Sequence, residues 1–100
     1  MAIEVFILIQ SFGDKDTERL FNREQITSLP SNLLQRARNK LLIINAATNE
    51  NDLNIPPGNR FEKLKGNKKG WCSIRINDQW RVVFKWSNAN AYDVSITDYH

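Results

Sequence analysis

Residues 71–84 read Trp-Cys-Ser-Ile-Arg-Ile-Asn-Asp-Gln-Trp-Arg-Val-Val-Phe, two β-type runs on either side of the turn residues Asn-Asp-Gln. A two-residue turn would place Ile74 opposite Arg81, so that each face mixed apolar and basic side chains. A three-residue connection instead pairs Ile76 with Trp80 and leaves one face apolar throughout. Because strand register follows the face that is buried, we predict the three-residue connection and an antiparallel hairpin.

The opposite face of this hairpin is predicted to carry Arg75, Arg81 and Lys85. In this register Arg75 lies directly across from Arg81, and like charges that face each other across two strands repel. Such a pair suggests an anion that the protein binds. The alternative is an ordinary solvated strand surface.

The rest of the chain supplies helices and further strands. Residues 3–12 predict a strand, and Asp14 or Asp16 can cap a short helix that ends near Asn22. A second helix is predicted from about Ser28 to Ala47. Its apolar stripe consists of Leu33, Leu34, Ala37, Leu41 and Ile44. Residues 61–64 and 91–97 are further strands. The predicted fold class is α+β, with two helices packed on one face of a curved antiparallel sheet of about four to five strands.

Length and composition exclude several classes of protein. One hundred residues predict a single domain, and 41% hydrophobic with 25% charged residues is ordinary for a globular chain. A single cysteine, Cys72, excludes an internal disulfide and a Cys-rich metal site, so we expect a reducing compartment. No apolar run approaches the length of a membrane span. The run at residues 5–9 is too short for a signal peptide and predicts a buried strand.

Positive charge is concentrated in one quarter of the chain. Eight of the fourteen Lys and Arg residues lie between Arg60 and Lys85, against only Glu62 and Asp78. Such a patch attracts polyanions, although a solvated face that keeps the protein soluble has the same composition.

Three motifs in order carry a family resemblance: Asn59-Arg-Phe-Glu-Lys-Leu-Lys-Gly66, then residues 70–84, then the terminal Asp98-Tyr99-His100. Together they resemble the HigB-type toxins of the RelE/ParE superfamily of bacterial type II toxin–antitoxin systems. The resemblance covers about residues 9–100. Residues 1–8 look like an N-terminal extension or an alternative start of a single domain that spans 1–100.

The resemblance implies the RelE-like fold and an endoribonuclease that cuts messenger RNA in the A site of a translating ribosome. It also implies a HigA-type antitoxin with a helix-turn-helix, which neutralises the toxin. Operator DNA is then contacted only through the antitoxin complex, and the protein is expected in the cytoplasm without a membrane partner.

Cleavage by the ribose 2′-OH needs a base, cations for the phosphorane and an acid for the leaving oxygen. Arg81 matches the family arginine, and its planar fork suits two phosphate oxygens; the alternative is a phosphate clamp without catalytic effect. Lys65 matches the lysine of the family's Leu-Lys-Gly turn and is expected to supply charge; it could act as the base only if its pKa were lowered. No cluster of metal ligands occurs in the sequence, so neither a metal nor another cofactor is expected.

His100 has the side chain whose ordinary pKa lies nearest neutrality, so it could take or give a proton. The terminal carboxylate on the same residue favours the charged imidazolium and therefore the general acid. Tyr99 could stack on a base, position the 2′-OH or be a core residue, and Asp98 could orient His100 or anchor the segment. Some family members carry a histidine where this chain has Glu62. Glu62 could therefore act as the base, or it could be a surface partner of Lys63 or Lys65.

The remaining basic residues of the patch are predicted to bind RNA: Arg60, Lys63, Lys68, Lys69, Arg75 and Lys85. Trp71 is the one tryptophan expected on the basic face, where packing is favoured over stacking on a base. Two other classes remain open. One is a ParE-like toxin with another target, such as DNA gyrase, and the other is a non-catalytic nucleic-acid-binding module.

Overall fold

The computed structural model of the chain describes residues 9–98. The first helix, α1, spans Lys15–Phe21 and is capped by Asp14, whose carboxylate accepts the backbone N–H of Thr17 at 2.7 Å. The second helix, α2, spans Leu34–Ala46 after a 3-10 turn at Ser31–Leu33. Both helices were predicted from the sequence, although α2 was expected to begin a few residues earlier, near Ser28.

Four antiparallel strands follow in chain order: β1 at Glu62–Lys63, β2 at Trp71–Arg75, β3 at Trp80–Ser87 and β4 at Asn90–Asp98. The strands pair with their sequence neighbours, so the sheet is a simple meander. This arrangement confirms the predicted α+β class with two helices and an antiparallel sheet. The part of the predicted first strand at residues 3–8 lies outside the described residues. Ile9 and Phe12 form single parallel bridges to β4.

The core lies between α2 and one face of the sheet. Ala37, Leu41 and Ile44 of the predicted stripe are fully buried, whereas Leu34 is only partly buried at the margin. The sheet contributes an apolar set to this core: Cys72, Ile74, Ile76, Val82, Phe84, Ala91 and Val94. No helix within the described part of the chain is long and apolar enough to cross a membrane.

The register of β2 and β3 is the predicted one. Cys72 pairs with Phe84, Ile74 with Val82, and the backbone N–H of Ile76 donates to the carbonyl of Trp80 at 2.9 Å. The core-facing residues of both strands therefore lie on the helix-packed side. Their neighbours along each strand lie on the opposite side, which we call the open face.

Candidate active site

Arg81 occupies the open face opposite Arg75, as the register predicted. Its side chain is only 8% exposed. The Nε atom donates to the hydroxyl of Ser73 at 2.8 Å, and Nη2 donates to the carbonyl oxygens of Arg60 and Ser73. The expectation that this face simply presents its cations to solvent is therefore wrong for Arg81, because the chain before β1 lies against its guanidinium.

The Arg75–Arg81 pair has a simpler explanation than a missing anion. The guanidinium of Arg75 forms an ion pair with Asp78, which follows it in the β2–β3 turn. That of Arg81 has oxygen acceptors on Ser73 and Arg60. Repulsion between the two cations is thus offset inside the protein, and the pair by itself does not require an anionic ligand.

A pocket of about 360 Å³ opens beside Arg81. It is lined by Arg60, Glu62, Arg75, Asn77, Asp78 and Arg81. Glu62 pairs with Ser73 across the strands, so its side chain leaves the sheet on the open face. The pocket lining therefore combines three arginines with two acidic residues, and the second of these, Asp78, is ion-paired to Arg75. Such a lining suits an anion whose neighbouring hydroxyl must lose a proton.

Asn59 holds the segment that carries Arg60. It is fully buried, its amide donates to the carbonyl oxygens of Leu53 and Ile55 at 3.1 Å each, and its Oδ1 accepts from Lys40 of α2. Arg60 follows in the left-handed region at φ 44°, which a residue with a side chain seldom adopts. Its carbonyl in this conformation is the acceptor for Arg81.

Lys40 also contributes to the electrostatics of this end of the sheet. Burial lowers its pKa below the ordinary value, and the positive charges of Arg36 and Arg75 lower it further.

The basic loop at residues 65–70 lies at the other end of β2. The N–H of Leu64 donates to the carbonyl of Trp71 at 2.9 Å, and a 3-10 turn at Gly66–Lys68 follows Lys65. Arg75 lies four positions after Trp71 along the strand, about 13 Å away. The structure therefore does not bring Lys65 into the row of Arg81. Lys65, Lys68 and Lys69 are all exposed.

Lys63 lies apart from the other cations of the patch. It pairs with Cys72, a core-facing position, and its amine binds the carboxylate of Glu50 at 2.9 Å. This contact raises the pKa of Lys63. The alternative that Glu62 is the surface partner of Lys63 is therefore wrong. Burial raises the pKa of the Cys72 thiol to about 11, which leaves it protonated and unreactive near neutrality.

Asp98 is the last described residue, and Tyr99 and His100 lie outside the described residues. The Cα atom of Asp98 is opposite Trp80, next to Arg81, and its carboxylate accepts from the Gln79 side chain at 3.1 Å. This contact ties the end of β4 to the β2–β3 turn, which agrees with the anchoring alternative for Asp98.

Comparison with known proteins identifies the family. Residues 10–100 match the family described as the RelE-like toxin of type II toxin–antitoxin systems, HigB. The chain belongs to the HigB-like toxin family.

Relatives and solved structures agree with this family. Toxin HigB-1 of Vibrio cholerae is 50% identical over 76 residues, 75% of this chain and 80% of that protein. A Proteus vulgaris protein named Endoribonuclease HigB is 31% identical over 93 residues, 93% of this chain and 100% of that protein. The YoeB–YefM complex from Staphylococcus aureus shows the same fold at 20% identity, with a TM-score of 0.59 over 92% of this chain and 97% of that one.

The HigB-type motifs did not reveal three residues that shape the pocket. Ser73 is a buried hydrogen-bond acceptor for Arg81. The predicted register already placed it on the same face as Arg81, which could have indicated this contact. Asn59 opens the first family motif, but the resemblance gives it no role. Nothing in the sequence indicated the role of Lys40. The helical stripe places Lys40 away from the core, and it does not predict the contact with Asn59, which lies 19 residues further along the chain.

Proposed function

We propose that this protein is an endoribonuclease toxin that cuts messenger RNA in the A site of a translating ribosome. In this proposal the ribose 2′-OH attacks the adjacent phosphodiester and side chains supply all the catalysis, without a metal ion. The observation that carries it is the pocket in which a buried, hydrogen-bonded Arg81 lies beside Glu62. The relative named Endoribonuclease HigB supports the reaction class.

Arg81 is assigned to the charge that develops on the phosphorane. Its guanidinium plane is held by Ser73 and Arg60 before substrate arrives, so little reorganisation is needed in the transition state. Arg75 adds a second positive charge, reduced by its ion pair with Asp78. If Arg81 were a clamp without catalytic effect, its removal would lower substrate affinity alone. In the proposed role, its removal lowers the rate of the chemical step.

Glu62 is proposed as the general base and His100 as the general acid. Glu62 shares the pocket with Arg81. The proposal for His100 rests on the terminal Asp-Tyr-His motif; Asp98, the last described residue, lies opposite Trp80, the neighbour of Arg81 in β3. Tyr99 is proposed to position the 2′-OH or to stack on a base.

The other cations are proposed to bind the RNA chain on either side of the cut. Arg60 and Arg75 line the pocket, Lys85 shares its face, and the loop lysines extend the positive surface: Lys65, Lys68 and Lys69. Lys63 stays a prediction with the least support, because its amine is bound to Glu50.

The proposed partners are a HigA-type helix-turn-helix antitoxin, the bacterial ribosome and messenger RNA. Operator DNA is contacted only through the antitoxin complex. With these partners, the proposed location is the cytoplasm, without a membrane partner. We further propose that residues 1–100 form one toxin domain in which residues 1–8 are an extension.

Induction in a bacterium followed by mapping of message 5′ ends tests the proposal. The wild type is expected to produce cuts in register with codons that vanish when translation is blocked, and Arg81→Ala is expected to produce none. Arg36→Ala, an exposed arginine outside the pocket, is the matched control and should cut like the wild type. Growth arrest with intact messages would contradict the proposal and favour a ParE-like target.

A further inference from the structure

A row of three side chains crosses the open face at the end away from Arg81. Trp71 of β2 is the Cα partner of Lys85 of β3, and Lys85 is the partner of Tyr92 of β4. Residues directly opposite each other in a sheet project to the same side. Lys85 lies four residues after Arg81 on the same strand, so this row and the pocket share one face.

The composition of this row differs from that of the core. Trp80 and Trp86 pack against the buried cluster on the helix side, whereas Trp71 and Tyr92 flank an exposed lysine. A second cation is already in contact, since Lys68 Nζ lies 5.1 Å from the centre of the Trp71 ring. Flat aromatic side chains next to lysines are the combination that stacks on nucleobases and neutralises the phosphates between them.

Short side chains lie between the row and the pocket. Ser73, Val83 and Ser95 are cross-strand partners in the intermediate row, and Ser73 is fully buried. The open face therefore has a row of small residues between the arginine end and the aromatic end. The two ends are about 13 Å apart along the strands.

We propose that Trp71 and Tyr92 form a subsite that stacks on bases of single-stranded RNA flanking the cut, with Lys85 and Lys68 on the adjacent phosphates. The proposal rests on the proposed function and deepens it, because it assigns a path along the sheet to the strand whose phosphodiester lies at Arg81. A purely structural role for the two rings is the competing explanation.

Fluorine NMR of the full chain labelled with 5-fluorotryptophan tests stacking directly. The probe is a single-stranded 2′-O-methyl RNA oligonucleotide, which has no free 2′-OH and cannot be cut. The resonance of Trp71, assigned by its loss in Trp71→Phe, is expected to shift during the titration while those of Trp80 and Trp86 stay in place. An abasic oligonucleotide of the same length should leave it unshifted.

Affinity measurements with matched variants complete the test. Trp71→Leu and Tyr92→Leu are expected to weaken oligonucleotide binding roughly 5- to 150-fold, whereas Tyr92→Phe, which keeps the ring, should bind like the wild type. Lys15→Ala, which changes an exposed residue on α1 outside the subsite, should also bind like the wild type. Far-ultraviolet circular dichroism of each variant confirms folding.

Each outcome separates this subsite from the proposed function. An unmoved Trp71 resonance at saturating oligonucleotide, or an equal shift with the abasic chain, would overturn the subsite even if messages are cut in cells. A shift confined to the base-containing chain supports the subsite, and it would do so even if mapping of 5′ ends showed intact messages.

Discussion

Two positively charged regions lie at opposite ends of β2, and they differ in how their cations are held. Arg81 is buried, and Ser73 and Arg60 fix its guanidinium. The lysines of the basic loop at residues 65–70 are exposed. The first arrangement suits stabilisation of charge at one defined position, and the second suits attraction of a polyanion over a distance.

This contrast shows why the number of positive charges predicts the binding of a polyanion better than it predicts catalysis. Each cation of the patch adds to a positive potential of the kind that attracts a polyanion. Only a guanidinium whose orientation is set in advance can lower the energy of the transition state without reorganising during the reaction. We therefore expect the two regions to affect different kinetic constants.

Arg81→Lys is expected to have the largest effect, because it keeps the charge and removes the planar fork. Cleavage on programmed ribosomes should fall at least about 100-fold in kcat. The matched control is Lys68→Arg in the basic loop, which should leave kcat unchanged. Equal activity of Arg81→Lys and wild type would show that a positive charge at position 81 is enough for cleavage, without the planar guanidinium.

Ser73→Ala tests whether the hydroxyl positions Arg81. It leaves a buried Nε–H without its acceptor, and we expect about 1–3 kcal/mol lower stability. The value of kcat should fall between about 10- and 100-fold while KM stays constant. Ser73→Thr, which retains the hydroxyl, should recover kcat. Chemical denaturation and cleavage kinetics measure the two effects separately, and a rise in KM alone would contradict the positioning role.

Simultaneous replacement of Lys65, Lys68 and Lys69 by Ala should raise KM and leave kcat nearly constant. Each cation that contacts a phosphate of single-stranded RNA contributes about 0.7 to the slope of log affinity against log salt, so the slope should fall by about 2. Binding titrations at several salt concentrations measure it. An unchanged slope would mean that the loop does not contact RNA.

Lys63→Ala should have the smallest effect. The amine is bound to Glu50 on the other side of the sheet edge, so neither kcat nor the salt slope should change. If Lys63→Ala weakened binding as much as the loop triple variant does, RNA would have to contact the side of β1 that carries Lys63 and Glu50.

Local pattern and register made the fold largely predictable. The alternation in residues 71–84 required one register, and that register placed Arg75 opposite Arg81 and Trp71 on the open face. The helical stripe predicted which residues of α2 are buried. Such patterns repeat along the chain, so they can be seen without knowing which distant segments meet.

The burial of Arg81 was not predictable in the same way. It depends on the carbonyl of Arg60, whose conformation depends on Asn59, which in turn contacts Lys40 on α2. Each of these contacts joins segments that are distant in sequence and leaves no periodic signal. The ion pair of Lys63 with Glu50 was missed for the same reason, since nothing in the sequence places the turn at Glu50–Asn54 beside β1.

The most direct test of the central claim is single-turnover cleavage on translating ribosomes at saturating toxin, comparing wild type with Arg81→Ala. Saturation removes differences in affinity, so the remaining difference reports the chemical step. We predict a rate at least about 100-fold lower for Arg81→Ala. Recovery of the wild-type rate at high concentration would show that Arg81 only helps to bind RNA, and it would contradict the account.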